Sequence, residues 1–375
     1  MLKIGITGQS GFIGTHLFNY LNLKKEEIIL VPFKDSYFEK EDQLKEFVTN
    51  CDAIVHLAAM NRHGDPQVIY DTNIKLVKLL IHALEETAKR PHILFSSSTQ
   101  EDRDNLYGKS KHDGRLLFEQ FAELNQARFT GFIIPNVFGP FGNPFYNSVV
   151  ATFCHQLTHL EKPKIDIDAN VQLIYINELV DQFYRKITEP VSGSNIISYK
   201  VQHTSENKVS EILLMLERYK KTYLEGHCFP ELNSTFEVNL FNTFRCYIDH
   251  SSYYPVLLKK NSDQRGSFTE TIKTSLGGQF SYSTTLPGVT RGNHFHTRKI
   301  ERFVVIKGKA TIELRRIGTT KILHFELSGE NPSFVDMPVW YTHNITNVGE
   351  EELFTLFWIN EFFDPYSPDT FFEKV

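Results

Sequence analysis

The chain has 375 residues, enough for two ordinary domains, with 41% hydrophobic and 23% charged residues, the profile of a globular protein. A net charge of −5 argues against nucleic acid or an anionic membrane surface as partner, and no apolar run reaches bilayer-spanning length. The four cysteines (Cys51, Cys154, Cys228, Cys246) show no C-x-x-C spacing and read as reduced thiols; Met1 to Gly5 enters a strand pattern with no signal peptide, so a cytoplasmic location is expected.

Lys3 to Thr7 is a β-rich run that leads into Gly8, Gly11 and Gly14, spaced G-x-x-G-x-x-G with Phe12 and Ile13 between. A helical pattern follows through His16, Leu17, Tyr20 and Leu21. Strand, glycine turn and helix in this order form a dinucleotide-binding entry: glycines let the backbone approach a pyrophosphate, and the helix N-terminus faces the anion. The next strand, from Ile28, ends at Lys34 and Asp35. An acid there holds the ribose hydroxyls of NAD, whereas Lys34 would pair with a 2′-phosphate, so NADP(H) is the expected cofactor.

Asp52 to Ala59 is a buried strand whose end, Leu57, Ala58 and Ala59, lets a cofactor pack against backbone; His56 within it reads as a core histidine. The helical pattern from Tyr70 to Glu86 carries Asn73 near its start, which we place among the cofactor contacts. Ile93 to Phe95 then delivers Ser96 to Thr99 to the carboxyl edge of a parallel sheet, where ligands bind. A hydroxyl there suits a substrate carbonyl. Tyr107 and Lys111 follow, four residues apart, on one face of a helix. The ammonium stabilises phenolate, so it is expected to lower the tyrosine pKa and make the phenol a proton donor to a ketone. The lysine also suits the ribose of a nicotinamide cofactor.

These pieces, with Asn136 to Pro140 and Leu173 to Val180, resemble the extended short-chain dehydrogenases/reductases that act on nucleotide sugars. The resemblance implies an α/β Rossmann-type doubly wound parallel sheet, with Ser98 orienting the carbonyl, Tyr107 donating the proton and Lys111 as its partner. Tyr107 stands only nine positions after Ser98, a shorter connection than in most relatives, which leaves Ser97 and Thr99 open for the same role. Asn143 to His155 and Gln202 to Ser210 are expected to cover the substrate. Asn136, Asn147 and Ser148 are its candidate contacts, and the last two read alternatively as helix caps.

From Asn233 to Tyr254 the helical pattern fades into a polar, aromatic connector, so we divide the chain at 248/249. Beyond it, short strands separated by turns (Pro255 to Leu258, Gly266 to Ile272, Gly278 to Thr284, Glu301 to Ile306, Lys309 to Arg315, Lys321 to Leu327, Leu353 to Ile359) predict an all-β domain. His294 and His296 alternate on a strand and so share a face, Glu301 lies on the next strand, and His343 follows later. Three imidazoles and a carboxylate converging inside a barrel form a divalent transition-metal site, with zinc first and nickel, iron or manganese open. The spacing from Gly288 through these residues to Gly308 is the cupin (jelly-roll barrel) pattern, with Trp340 standing where a glycine is usual. Lys299 and Tyr341 flank the ligands and are the candidate acid/base groups.

The whole chain resembles bifunctional capsule and O-antigen enzymes of UDP-N-acetyl-L-fucosamine biosynthesis, in which such a reductase is fused to a cupin. That resemblance implies C3 epimerisation of a UDP-2-acetamido-2,6-dideoxy-L-hexos-4-ulose in the cupin. NADPH reduction at C4 follows, giving UDP-2-acetamido-2,6-dideoxy-L-talose, in a homodimer. A metal polarises the ketone so that the neighbouring C–H ionises, and hydride delivery then fixes the new configuration. The alternative is a 4-ketoreductase of another deoxysugar branch with a non-catalytic sugar-binding cupin.

Overall fold

The computed structural model describes residues 1–190 and 193–375. Its first unit comprises Met1–Phe138, Gly142–Val149 and Ala169–Asn207; the second comprises Gly139–Phe141, Val150–Asp168 and Lys208–Val375. The division by compactness therefore differs from the change of pattern at 248/249. Residues 208–248 belong with the β-rich unit. Among the described residues no helix is long and apolar enough to cross a membrane.

In the first unit, β1 (Leu2–Thr7), β2 (Ile28–Val31), β3 (Ala53–His56), β4 (His92–Ser98), β5 (Phe129–Ile134) and β6 (Ile196–Lys200) form one sheet. The order is β2-β1-β3-β4-β5-β6, and every pairing is parallel. Strands such as β3 and β4 are buried along almost their whole length because helices cover both faces, hence their continuous apolar runs. The connecting helices include α1 (Phe12–Asn22), α2 (Glu41–Thr49), α3 (Pro66–Glu86) and α4 (Leu106–Asn125). Phe95, Phe118, Phe129, Val77 and Leu80 fill the core between α3, α4 and the sheet. Chain order reverses between β1 and β3, the crevice at which ligands bind in such sheets.

The second unit holds two five-stranded sheets. Its strands are β7 (Val256–Leu257), β8 (Gln279–Thr285), β9 (Thr290–Phe295), β10 (Glu301–Lys307), β11 (Lys309–Arg316), β12 (Ile322–Ser328), β13 (Ser333–Met337), β14 (Tyr341–Asn347), β15 (Leu353–Ile359) and β16 (Phe371–Phe372). The sheets run β7-β13-β10-β15-β8 and β12-β11-β14-β9-β16, with antiparallel pairing, around a core of Val304, Ile312, Leu314, Phe334 and Leu353. This is the expected barrel.

The connector is corrected. Thr235–Arg245 is a helix, capped by Ser234, whose Oγ accepts from Glu237 N at 3.2 Å. Every residue from Asn239 to Arg245 is buried. A helix enclosed on all sides shows no polar face, so its period is invisible in the sequence.

A buried charge pair ties residues 223–245 to the barrel. Arg302 meets Asp336 in a bidentate contact (2.6 and 2.8 Å), Tyr223 donates to the same carboxylate at 2.6 Å, and Arg245 donates to the Met337 carbonyl at 2.8 Å. Phe229 stacks on Trp358 at 4.4 Å between centroids.

Candidate active site and candidate metal centre

The glycine turn lies at the end of β1. Gly8 has φ 68°, and a Cβ there would stand 2.7 Å from both N and Cα of Ala58, so only glycine lets this turn rest on the β3 end. Ala58 N in turn donates to Thr7 Oγ1 at 3.3 Å and Leu57 N to the Thr7 carbonyl at 3.2 Å; Ala59 follows them in the half-buried stretch. Gly11 N donates to Gly8 O at 3.1 Å and caps α1, while Phe12, Ile13 and Gly14 form its first turn. No side chain caps that helix. An uncapped N-terminus behind a glycine turn fits a dinucleotide pyrophosphate. Lys34 is exposed just past β2, and beside it Asp35 accepts from Ser10 Oγ at 3.3 Å, on the glycine turn itself.

At the carboxyl edge of β4 the three serines diverge. Ser96 Oγ donates to the His56 carbonyl at 3.3 Å. Ser97 donates to Glu101 at 2.6 Å, and Glu101 pairs with Arg115 at 3.1 Å. Ser98 alone of the three shares a hydrogen bond with the Tyr107 phenol, and its Oγ also accepts from Gln100 N at 3.2 Å. Of the hydroxyls left open by the sequence, Ser98 is thus the one turned to the tyrosine. The short connection works because Thr99–Asp102 makes a 3₁₀ turn and Gly108 follows Tyr107: a Cβ on Gly108 would stand 2.0 Å from the Gln100 carbonyl.

Lys111 is buried, its Nζ donating to the Ser96 carbonyl at 2.9 Å and lying 5.9 Å from the Tyr107 ring centroid. Burial lowers its pKa to about 8. The expected lowering of the phenol is overturned: burial, assisted by the neighbouring Tyr146, pushes Tyr107 up to about 12 against the Ser98 hydrogen bond. In a site this enclosed, desolvation of phenolate outweighs that hydrogen bond. His56 is the core histidine expected, hydrogen-bonded to Thr7 at 2.8 Å and lowered to about 3 by burial.

Asn73 departs from its expected place. It is buried, and its amide accepts from Met60 N (2.7 Å) and donates to Met60 O (3.1 Å) and Ser110 Oγ (2.9 Å). Its polar atoms are occupied within the protein, stapling the loop after β3 to α4. Asn136 is exposed, with Nδ2 donating to the Gln172 carbonyl at 3.2 Å. Asn147 is exposed and Ser148 half-buried, immediately before helix Val149–Thr158. The sequence reading missed one residue beside them, Arg62, and placed Tyr146 only within the stretch expected to cover the substrate. Arg62 donates to the carbonyls of Phe145 (2.5 Å) and Tyr146 (3.3 Å), and Tyr146 neighbours Tyr107. A lone arginine in a loop gives no periodic signal.

In the barrel, His294, His296, Glu301 and His343 offer ligand atoms that all lie within 4.8 Å of one another. Glu301 Oε2 is 3.2 Å from His296 Nε2 and 3.4 Å from His343 Nε2. Tetrahedral donors at ~2.0–2.2 Å from zinc lie about 3.3–3.6 Å apart, so the two Glu301 spacings and the chemistry of the donors suit a divalent ion. His296 Nδ1 contacts the Asp369 carbonyl at 2.6 Å and His343 Nδ1 the Tyr341 carbonyl at 3.3 Å, which leaves both Nε2 atoms facing Glu301. Burial opposes charge on His296, but the Glu301 contact raises its pKa overall; His294 is lowered to about 4 by burial and the other two imidazoles. Strict alternation does not aim His294: a bulge between Gly292 and His294, with Asn293 at φ 58°, turns it in.

Trp340 has φ 62°, which explains the glycine usual there; it is buried, with its ring stacked on Phe295 at 5.6 Å. Lys299 and Tyr341 do not join the donors. The Lys299 ammonium donates to the Pro368 carbonyl at 2.5 Å, with Glu361 at 3.8 Å, and Tyr341 packs its ring on His250 (5.3 Å) and Phe141 (6.1 Å).

A glycine turn at a parallel-sheet switch point, a Ser–Tyr–Lys set at its carboxyl edge, and a barrel with a three-histidine, one-carboxylate cluster define an extended short-chain dehydrogenase/reductase carrying a cupin. The chain belongs to the NAD dependent epimerase/dehydratase family, whose model matches residues 4–201, and residues 261–371 match the polysaccharide biosynthesis C-terminal domain. It is 33% identical over 372 residues to UDP-2-acetamido-2,6-beta-L-arabino-hexul-4-ose reductase of Pseudomonas aeruginosa, covering 99% of this chain and 98% of that one. It is similar in structure to the capsular polysaccharide assembling protein CapF of Staphylococcus aureus, with TM-score 0.62 and 35% identity over the whole of both chains. UDP-glucose 4-epimerase of Thermotoga maritima, 18% identical, shares the fold over 66% of this chain and 98% of its own, with TM-score 0.56.

Proposed function

We propose that this protein epimerises C3 and reduces C4 of a UDP-2-acetamido-2,6-dideoxy-L-hexos-4-ulose, giving UDP-2-acetamido-2,6-dideoxy-L-talose for capsule or O-antigen synthesis. The observation that carries the reading is the end-to-end match to the Pseudomonas reductase. The Ser98–Tyr107 hydrogen bond and the donor cluster, each where its chemistry needs it, support the two steps. When bound, NADPH at the glycine turn supplies hydride, and a divalent ion, zinc first, held by His294, His296, Glu301 and His343, supplies Lewis acidity.

The protein's own groups do the rest of the reduction. Ser98 and Tyr107 hold the C4 oxygen, and Tyr107 passes its phenolic proton to the forming alkoxide. A phenol raised to about 12 still suits this step, because an alkoxide is more basic than phenolate, and the raised value keeps the proton in place beforehand. Lys111, cationic at neutral pH, favours the phenolate left behind. Asn136, Asn147, Ser148 and Tyr146 are proposed to receive the sugar nucleotide. No proton transfer at C3 is assigned to Lys299 or Tyr341, given the contacts their side chains make. A cytoplasmic homodimer completes the proposal.

The experiment is direct. In heavy water without NADPH, the 4-keto substrate should gain deuterium at C3; with NADPH it should yield the talo product by NMR. Tyr107→Phe should abolish NADPH oxidation, by at least about 10²-fold, and leave the exchange intact. Exchange absent from the zinc-loaded full chain would refute the epimerase half. One observation favours a second reading of the cofactor: Asp35 beside the glycine turn is where NAD-type sites place their acid. The ratio of kcat/KM for NADPH and NADH decides it.

A further inference from the structure

The C-terminal segment is built into the metal centre. The carboxylate of Asp369 accepts from the main-chain N–H groups of Thr297 (3.0 Å), Arg298 (3.0 Å) and Lys299 (3.0 Å), and from the Thr297 hydroxyl (2.7 Å). Its carbonyl takes His296 Nδ1 at 2.6 Å. Asp369 is 4% exposed and sits at φ 43°, a backbone conformation that aspartate and asparagine tolerate better than most residues. On either side of it, Pro368 receives the Lys299 ammonium, Ser367 receives Arg298 at 2.8 Å, and β16 pairs Phe371 with Phe295 and Phe372 with His294. One short strap therefore grips the turn that joins His296 to Glu301, and extends the strand that carries His294.

We propose that Asp369 is a positioning residue for the metal. Its carbonyl fixes the Nδ1–H tautomer of His296, which presents the Nε2 lone pair to the centre; its carboxylate locks residues 297–299, which set the span between His296 and Glu301. Partners of this kind raise the basicity of a ligating imidazole and hold its ring plane, and losing one weakens metal binding about 10–100-fold. The same geometry gives Lys299 its use: it anchors the strap. The inference rests on the metal reading above.

The test uses the full-length chain, with zinc affinity read by competition against a chromophoric chelator and cobalt(II) as the spectroscopic probe. Asp369→Ala, which loses the carboxylate and strains the left-handed backbone, should weaken zinc about 10–100-fold and shift the visible cobalt bands at saturation. Asp369→Asn, which keeps the backbone preference and one acceptor, should fall between it and wild type. Thermal melts report whether Asp369→Ala folds; if it does not, Asp369→Asn decides alone. Zinc affinity within about twofold of wild type together with unchanged cobalt bands, in a folded variant, overturns the proposal. Wild-type protein that binds no zinc would instead overturn the metal reading, and this inference with it.

Discussion

Lys111 keeps its charge where burial disfavours it. Its folded pKa of about 8 lies below the ordinary lysine value, so its ionised form costs stability below pH 8, and that cost fades as pH rises through 8 toward 10.5. Two consequences run in opposite directions. Ketone reduction should fall above about pH 8 as the ammonium is lost, read as a pH–kcat profile. Lys111→Met should stabilise the fold at pH 7 by at most about 3 kcal/mol, read as a higher melting temperature, while slowing reduction. A variant that is both less stable and fully active would contradict this account. Trp340 shows a different balance. Its left-handed backbone costs roughly 1–2 kcal/mol, yet the buried, stacked indole contributes about 3–5 kcal/mol. Trp340→Gly, although it restores the usual residue, should therefore lower stability by about 2 kcal/mol in chemical denaturation.

Elements explain why parts of the site were legible and others not. The glycine turn, the β4 edge and the start of α4 announce themselves, because each needs particular residues at fixed spacing along one stretch of chain. So do the candidate ligands of the barrel through their spacing, although the bulge that turns His294 in could not be read from it. Asn73 showed only its place near the start of a helix, while its partners, Met60 and Ser110, lie on other elements and leave no mark near it. The helix Thr235–Arg245 hid for the opposite reason, having no exposed face to give it a period. Asp369 could be found only through the turn it caps, some seventy residues earlier in the chain. If Asn73 acts as a staple, Asn73→Ala should leave the half-buried N–H and carbonyl of Met60 without it, while Ser110 keeps the Tyr107 carbonyl, and cost about 1–3 kcal/mol. A differential melt would show the loss. Dinucleotide affinity that falls with no loss of stability would return Asn73 to the cofactor contacts.

At the scale of the whole molecule, the reductase and the barrel are not two modules joined at residue 249. Asp336 and Arg302, both within the barrel, share their site with Tyr223, and Arg302 stacks on Phe229 at 4.4 Å to the ring centroid. Cutting at 249 removes those aromatic covers and uncovers Trp358, which is otherwise fully buried. A fragment 249–375 should show no cooperative melt; a cooperative melt of that piece would refute this. Removing one member of the charge pair, as in Asp336→Ala, should cost about 3–5 kcal/mol because it strands the other in the interior.

The same network has a meaning for how the protein is made. Tyr223 must wait for Asp336, 113 residues downstream, and Arg245 for Met337, 92 residues downstream. At ~5–20 residues per second on the ribosome, that interval is roughly 5–20 s. Throughout it Phe229, Phe241 and a buried arginine have no strand to close over them. Nascent chains should accordingly recruit holdase chaperones after residue 245 has emerged, and release them once Met337 has.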